Sequence, residues 1–181
     1  MIESMTDDAG QGYSLARLNR QTGYLEDPLV NLRVMIVDAE FYKALRDKLY
    51  ARFQSGASVI LYEMGSGYGE LMAKSIHEMG AGKIEIYRKF IERGKRLGYG
   101  EFKVPVLQSI LAGLKGEARV ILKDSFFAAA SGRTGHVECW LIAGMIAGAA
   151  RKIMDRDMDC VEVLCASKGD PRCEFTLKGS G

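Results

Sequence analysis

The sequence lacks any stretch apolar enough to cross a membrane. Its longest apolar run, Trp140 to Ala150, is eleven residues, whereas a spanning helix needs roughly twenty. That run is expected to be a buried helix, and no membrane is expected among the partners. The opening MIESMTDDAG has early acids and no apolar core. It does not read as a secretory signal, so a cytoplasmic location is expected. There is no basic run, and Lys plus Arg (25) barely exceed Asp plus Glu (23). A net charge of +2 gives no electrostatic drive toward nucleic acid. No internal repeat, low-complexity tract or linker stands out.

Catalytic signatures are equally sparse. The glycine cluster GSGYGE at Gly65–Glu70 is spaced GxGxG rather than GxGxxG, with no acidic residue ending a second strand and no GK[ST]. Its glycines are expected to let a helix pack closely, as are Gly144 and Gly148 on the long apolar helix. The two histidines, His77 and His136, are far apart in the chain, and His77 is expected to face solvent. No Ser-His-Asp set, paired carboxylates or cofactor lysine is found. Whether the chain is an enzyme stays open from these residues, with the balance against it.

What is present suits one domain: 181 residues, 48% hydrophobic and 27% charged. Residues 1–30 are expected to form an extension whose first twelve residues are disordered, and 31–181 the domain. A strand is expected over Leu32–Val37. Helices are expected over Phe41–Gln54, from the glycine cluster to Gly80, over Ile84–Leu97, and over Gly135–Met154. Phe41, Leu45, Leu49 and Phe53 recur at helical spacing in the first of these. ASVILYEM, EFKVPVL and EARVILKDSFF read as strands, the last buried on both faces. The end of the chain reads as a β-hairpin. The fold class is α+β, a mostly antiparallel sheet packed with helices, ending in a long helix and a hairpin.

Three of the four cysteines lie in CVEVLCASKGDPRCEF, Cys160 to Phe175. A turn centred on Gly169 sets Cys165 opposite Cys173. Regular alternation then puts Val161, Val163, Cys165, Cys173, Phe175 and Leu177 on one apolar, buried face. The long helix carries the fourth cysteine, Cys139, in its first turn. Three thiols therefore converge, as tetrahedral zinc requires. Simple burial of small hydrophobes and a Cys165–Cys173 disulfide remain alternatives. The fourth ligand is also open. His136 shares a face with Cys139, and Glu162 would qualify only if its strand is bulged. Cys160 falls on the far face, packed or exposed.

CWLIAGMIAG followed by VEVLCASKGDPRCEF resembles the C-terminal signature of the 4-vinyl-reductase-type, or hydrocarbon-binding, domain family. The fold of that family is similar to that of the haem nitric-oxide sensor and TRAPP-component superfamily. LYEMGSGYGELMAK looks like its glycine-bearing helix. The resemblance implies a zinc site made of Cys139, Glu162, Cys165 and Cys173 in the terminal hairpin. Such a closed set of three thiolates and a carboxylate is structural, and Lys168 and Arg172 are placed to offset its charge. Cys160 lies outside this set. The resemblance further implies a small hydrophobic ligand held between the central helices and the sheet. A homodimer is expected. Candidates for the pocket are Met64, Tyr68, Met72, Phe90, Tyr99, Phe102, Phe126 and Phe127. The function expected is a sensor or carrier of a hydrophobic small molecule. One alternative is a reductase or accessory protein acting on tetrapyrrole vinyl groups. It would need a hydride source, for which no nicotinamide or flavin motif is found. A protein-interaction scaffold is a second alternative.

Overall fold

The computed structural model describes residues 16–104 and 117–179. The disorder expected for the first twelve residues, and any strand beyond Val104, lie outside them. Residues 17–34, which span the expected boundary at 30/31, form an antiparallel meander of β1 (Arg17–Asn19), β2 (Tyr24–Asp27) and β3 (Leu32–Val34). Asp27 and Val30 of this meander are buried. Val30 offers its carbonyl to the Ser75 hydroxyl, and Asp27 its carboxylate to Arg93 at 2.7 Å.

Helix α1 (Ala39–Phe53) starts where Asp38 caps it, its carboxylate accepting from the Phe41 amide at 2.7 Å. Helix α2 runs unbroken over Gly56–Glu78, so the strand expected at ASVILYEM is instead the first two turns of a helix. The local Val59-Ile60 pair suggested a strand. The longer pattern of buried Ala57, Leu61, Gly65, Gly69, Met72, Ala73 and Ile76 has helical period and prevails. Helix α3 covers Lys83–Arg96.

The main sheet is antiparallel, in the order β4-β5-β7-β6, with β4 Glu101–Lys103, β5 Ala118–Lys123, β6 Met158–Leu164 and β7 Cys173–Gly179. β5 alternates, with Ala118, Val120 and Leu122 buried and Arg119 exposed. One of its faces is covered rather than both. The chain after it turns into a short helix, α4 (Phe126–Ser131), capped by Ser125, so the strand expected through Phe127 ends early. The long apolar helix α5 spans Trp140–Met154, beginning five residues later than expected.

Helix α5 crosses α2 at backbone contact. A Cβ built on Gly65 would overlap the Leu141 carbonyl, and one on Gly144 the Tyr62 carbonyl. The two glycine pairs thus permit the close packing expected of them. Ten of the fifteen α5 residues are buried, because α2 lies on one side and the sheet on another. No helix among the described residues is long and apolar enough to cross a membrane.

Candidate functional site

Cys139, Glu162, Cys165 and Cys173 come together with one ligand atom from each within 4.8 Å of the others, all four residues buried. Cys139 is the residue immediately before α5 rather than part of its first turn. Its Sγ lies 3.6 Å from that of Cys173, which in turn lies 4.0 Å from that of Cys165. A disulfide needs about 2.05 Å, so all four cysteines are free thiols. Tetrahedral ligation with sulfur at about 2.3 Å sets sulfurs about 3.8 Å apart, and the observed spacings bracket that figure.

Glu162 reaches this corner because β6 is irregular. Pairing with β7 runs regularly from Met158↔Gly179 to Glu162↔Phe175, then slips, so that Leu164 meets Glu174. A bulge of this kind inserts a residue and re-aims the side chains around it. The outcome reverses the expected faces of β6: Val161 and Val163 are exposed, while Met158, Cys160 and Glu162 point inward. Cys160 is therefore buried, at 2% exposure, on the same face as Glu162 yet outside the ligand cluster. Regular alternation failed here because the slip changes the parity of the strand midway.

Beyond the bulge, the chain turns sharply. Asp170 accepts from the Cys165 amide at 2.8 Å, the Cys165 carbonyl accepts from Lys168 and Asp170, and Gly169 adopts φ 112°. That backbone angle suits glycine. His136 is exposed and is not in the cluster. Arg172 pairs with Glu174 at 2.9 Å, while Lys168 forms no ion pair among the described residues.

The two oxygens of the Glu162 carboxylate are placed differently. Oε2 accepts from the backbone amides of Glu138 and Cys139 at 3.1 and 2.8 Å, filling the capping place at the N-terminus of α5. Oε1 is buried with no partner. An unpaired buried carboxylate oxygen beside three thiols is costly unless a cation joins them. The donor set therefore fits a metal, and its softness and closure suit zinc. Without one, burial raises the Glu162 carboxyl to about 8. The thiols then share protons: hydrogen bonds from Cys139 and Cys173 hold Cys165 far below the usual thiol range. The reciprocal contact with Cys165 pushes Cys139 up.

Two further residues frame the corner and were missed from the sequence. Glu138, buried beside Cys139, is held by Arg46 of α1 at 2.5 and 3.0 Å. Arg46 faces inward with Tyr42, whose ring meets Phe127 edge-on at 5.0 Å. The available signal was Tyr42, Arg46 and Tyr50 at four-residue spacing, which the parallel stripe of Phe41, Leu45 and Phe53 obscured.

The proposed pocket residues divide. Phe90 and Phe102 line an apolar cleft between α3, α5 and the sheet, together with Tyr87, Ile91, Ile146 and Ile153. The cleft leaves about 40 Å³ among the described residues. Met72 is buried elsewhere, accepting from Arg93 at 3.1 Å, and Tyr68 lies under the same guanidinium. Tyr99 and Phe126 meet Phe127 edge-on, with ring centroids 5.3 Å apart in each pair. Met64 is exposed. His77 is exposed too, as expected. The aromatic and methionine count between Met64 and Phe127 did not distinguish the cleft from the rest of the core. The α5 side chains Ile146 and Ile153 carried no such signal.

Residues 118–178 match the 4-vinyl-reductase (V-4-R) domain. The resemblance read from Cys139 to Phe175 is thereby borne out, and Cys139, Glu162, Cys165 and Cys173 all fall within the matched stretch. The uncharacterized protein MJ0150 of Methanocaldococcus jannaschii is 28% identical over 124 residues, 68% of this chain and 65% of its own length. The chain thus matches just under two thirds of that relative. The fold is similar to the phenol-responsive sensory domain of the transcription activator PoxR, determined with phenol. That likeness has a TM-score of 0.73 at 19% identity, covering 91% of this chain and 84% of the other. A vinyl-4-reductase family protein from Methanocaldococcus jannaschii gives 0.60 at 17% identity, over 82% and 85%. A trafficking protein particle complex subunit 3 from Naegleria fowleri, covalently bound to palmitic acid, gives 0.54 at 13%, over 79% and 93%.

Proposed function

We propose that this protein is a homodimeric, cytoplasmic module of the 4-vinyl-reductase type that binds a small hydrophobic molecule and is braced by a structural zinc. Cys139, Glu162, Cys165 and Cys173 would hold the metal, which supplies a cross-link between the start of α5 and the terminal hairpin. The observation that carries the binding reading is the composition of the cleft. Among the described residues lining it, the side chains are apolar save for the Tyr87 hydroxyl and the Met154 sulfur. Such a lining selects ligands by shape and hydrophobicity rather than by charge. The phenol of the PoxR sensory domain and the palmitic acid of the trafficking subunit are ligands of that chemical character.

The cleft as it stands, at about 40 Å³, is far smaller than the roughly 300 Å³ or more of a typical small-molecule site. Ligand entry therefore requires the lining to part, and Ile91 and Met154, both half-buried, stand where it can do so. Methionine adapts readily to such changes. No titratable acid or base other than the Tyr87 phenol lines the cleft among the described residues, so its chemistry favours holding a ligand over transforming one.

Native mass spectrometry of the protein as purified tests this reading. Retained zinc at one per chain and a hydrophobic adduct lost on Ile146→Trp are expected. Absence of any adduct, with no thermal shift across aliphatic and aromatic compounds, would leave the scaffold alternative.

A further inference from the structure

We propose that the outward face of α1 is where the second copy of this chain docks, the two α1 helices packing antiparallel about a twofold axis. This deepens the homodimer part of the reading above and rests on it.

The helix is fixed to the body by its polar and aromatic side. Tyr42 is buried against Phe127, and Arg46 grips Glu138. Its apolar stripe runs alongside that side and stays largely uncovered. Phe41 and Phe53 are 55% and 51% exposed, and Leu45 and Leu49 lie between them at four-residue steps. The segment leading into the helix adds Ile36 at 88% exposure. A helix held so firmly does not present this face by chance rotation. Monomeric proteins rarely leave extended apolar patches of this kind uncovered.

The pattern itself names the occupant. Phe41, Leu45, Leu49 and Phe53 read the same in both directions. An antiparallel copy therefore sets Phe41 against Phe53 of the partner subunit and Leu45 against Leu49 of the partner subunit. That self-complementarity is what a twofold interface requires. The charges agree. Arg52 falls on the same helix face as the stripe, in the last turn, and forms no ion pair among the described residues. Asp38 sits at the opposite end and places a carboxylate there. An antiparallel pairing brings each Arg52 within side-chain reach of the partner's Asp38, whereas a parallel pairing would stack Arg52 on its own copy. Charge thus selects the antiparallel arrangement.

Analytical ultracentrifugation of the full chain, with its zinc content measured in parallel, tests the proposal. The parent is expected to sediment as a dimer, and Leu45→Asp as a monomer with unchanged far-UV circular dichroism and zinc. Phe41→Ser, at a more exposed position, gives the same reading should Leu45→Asp fold poorly. Arg52→Glu is expected to weaken the dimer by about tenfold or more, through like charges facing the partner's Asp38. Val161→Asp, on the exposed face of the sheet, is expected to leave the dimer intact. A monomeric parent would sink the homodimer reading altogether. A dimer that survives Leu45→Asp and Phe41→Ser, whether or not Val161→Asp breaks it, would overturn the α1 face while sparing the homodimer.

Discussion

The metal corner and helix α1 are built from opposite solutions to the same problem. At the corner, four polar or reactive side chains are buried and one carboxylate oxygen has no protein partner. On α1, a row of large apolar side chains is exposed while an arginine and a tyrosine turn inward. Each arrangement is costly for an isolated chain in water. Each becomes favourable once something from outside the fold is added, a cation at the first and an apolar surface at the second. Unsatisfied features of this sort identify where a chain expects a partner better than its well-packed regions do.

The largest expected effect breaks the corner. Cys173→Ser should lose zinc, and metal sites of this type contribute on the order of 10 kcal/mol at neutral pH. Inductively coupled plasma analysis would show the loss and calorimetry the lowered melting temperature. Acidification should release zinc from the parent as well, since protons compete for thiolates and carboxylate alike. The sign is fixed: metal is retained toward high pH and lost as pH falls.

Arg46→Ala sharpens the comparison by cutting the link between the two regions. It leaves the buried Glu138 unpaired beside Cys139. Stranding a buried charge costs roughly 3 kcal/mol or more. Zinc content should survive, because Glu138 is not a ligand, while urea denaturation shifts to a lower midpoint. Zinc loss in this variant would mean that α1 positions the metal.

Gly144→Val acts between the regions, where α2 and α5 touch through backbone. Forcing a side chain into that crossing should cost about 3 kcal/mol, near the upper end for an overpacked contact. Denaturant melts would register it. A near-neutral result would show that the helices can separate more easily than their contact implies.

Cys160→Ser is expected to have a smaller effect. The thiol is buried among apolar neighbours, so a hydroxyl there should cost about 1–2 kcal/mol while zinc stays at one per chain. Loss of metal would place Cys160 in the site after all. Phe41→Ser should be smallest in its effect on the monomer's fold, within about 0.5 kcal/mol, and visible instead in the dimer.

Much of the corner was legible in the sequence. Cys139, Cys165 and Cys173 converge because a turn residue pair and an apolar helix leave them few other places to go. The resemblance at Cys139–Phe175 added Glu162. The spacing of Gly65, Gly69, Gly144 and Gly148 likewise announced a close helix crossing. These readings rest on local chemistry: which residues turn, which bury, and which ligate.

The rest depended on contacts remote in the chain. ASVILYEM is helical because residues twenty positions further on continue its pattern against α5, which no short window contains. Val161 and Val163 face solvent, and Cys160 inward, because the slip at Glu162–Leu164 inverts the strand. The cleft is assembled from α3, α5 and three strands, so counting aromatics along the chain could not locate it. The stripe on α1 was visible as a helical face, and sequence alone would bury it. Only the tertiary structure turned it outward, because Tyr42 and Arg46 find partners in Phe127 and Glu138, more than eighty residues away, that hold the other side of the helix more tightly.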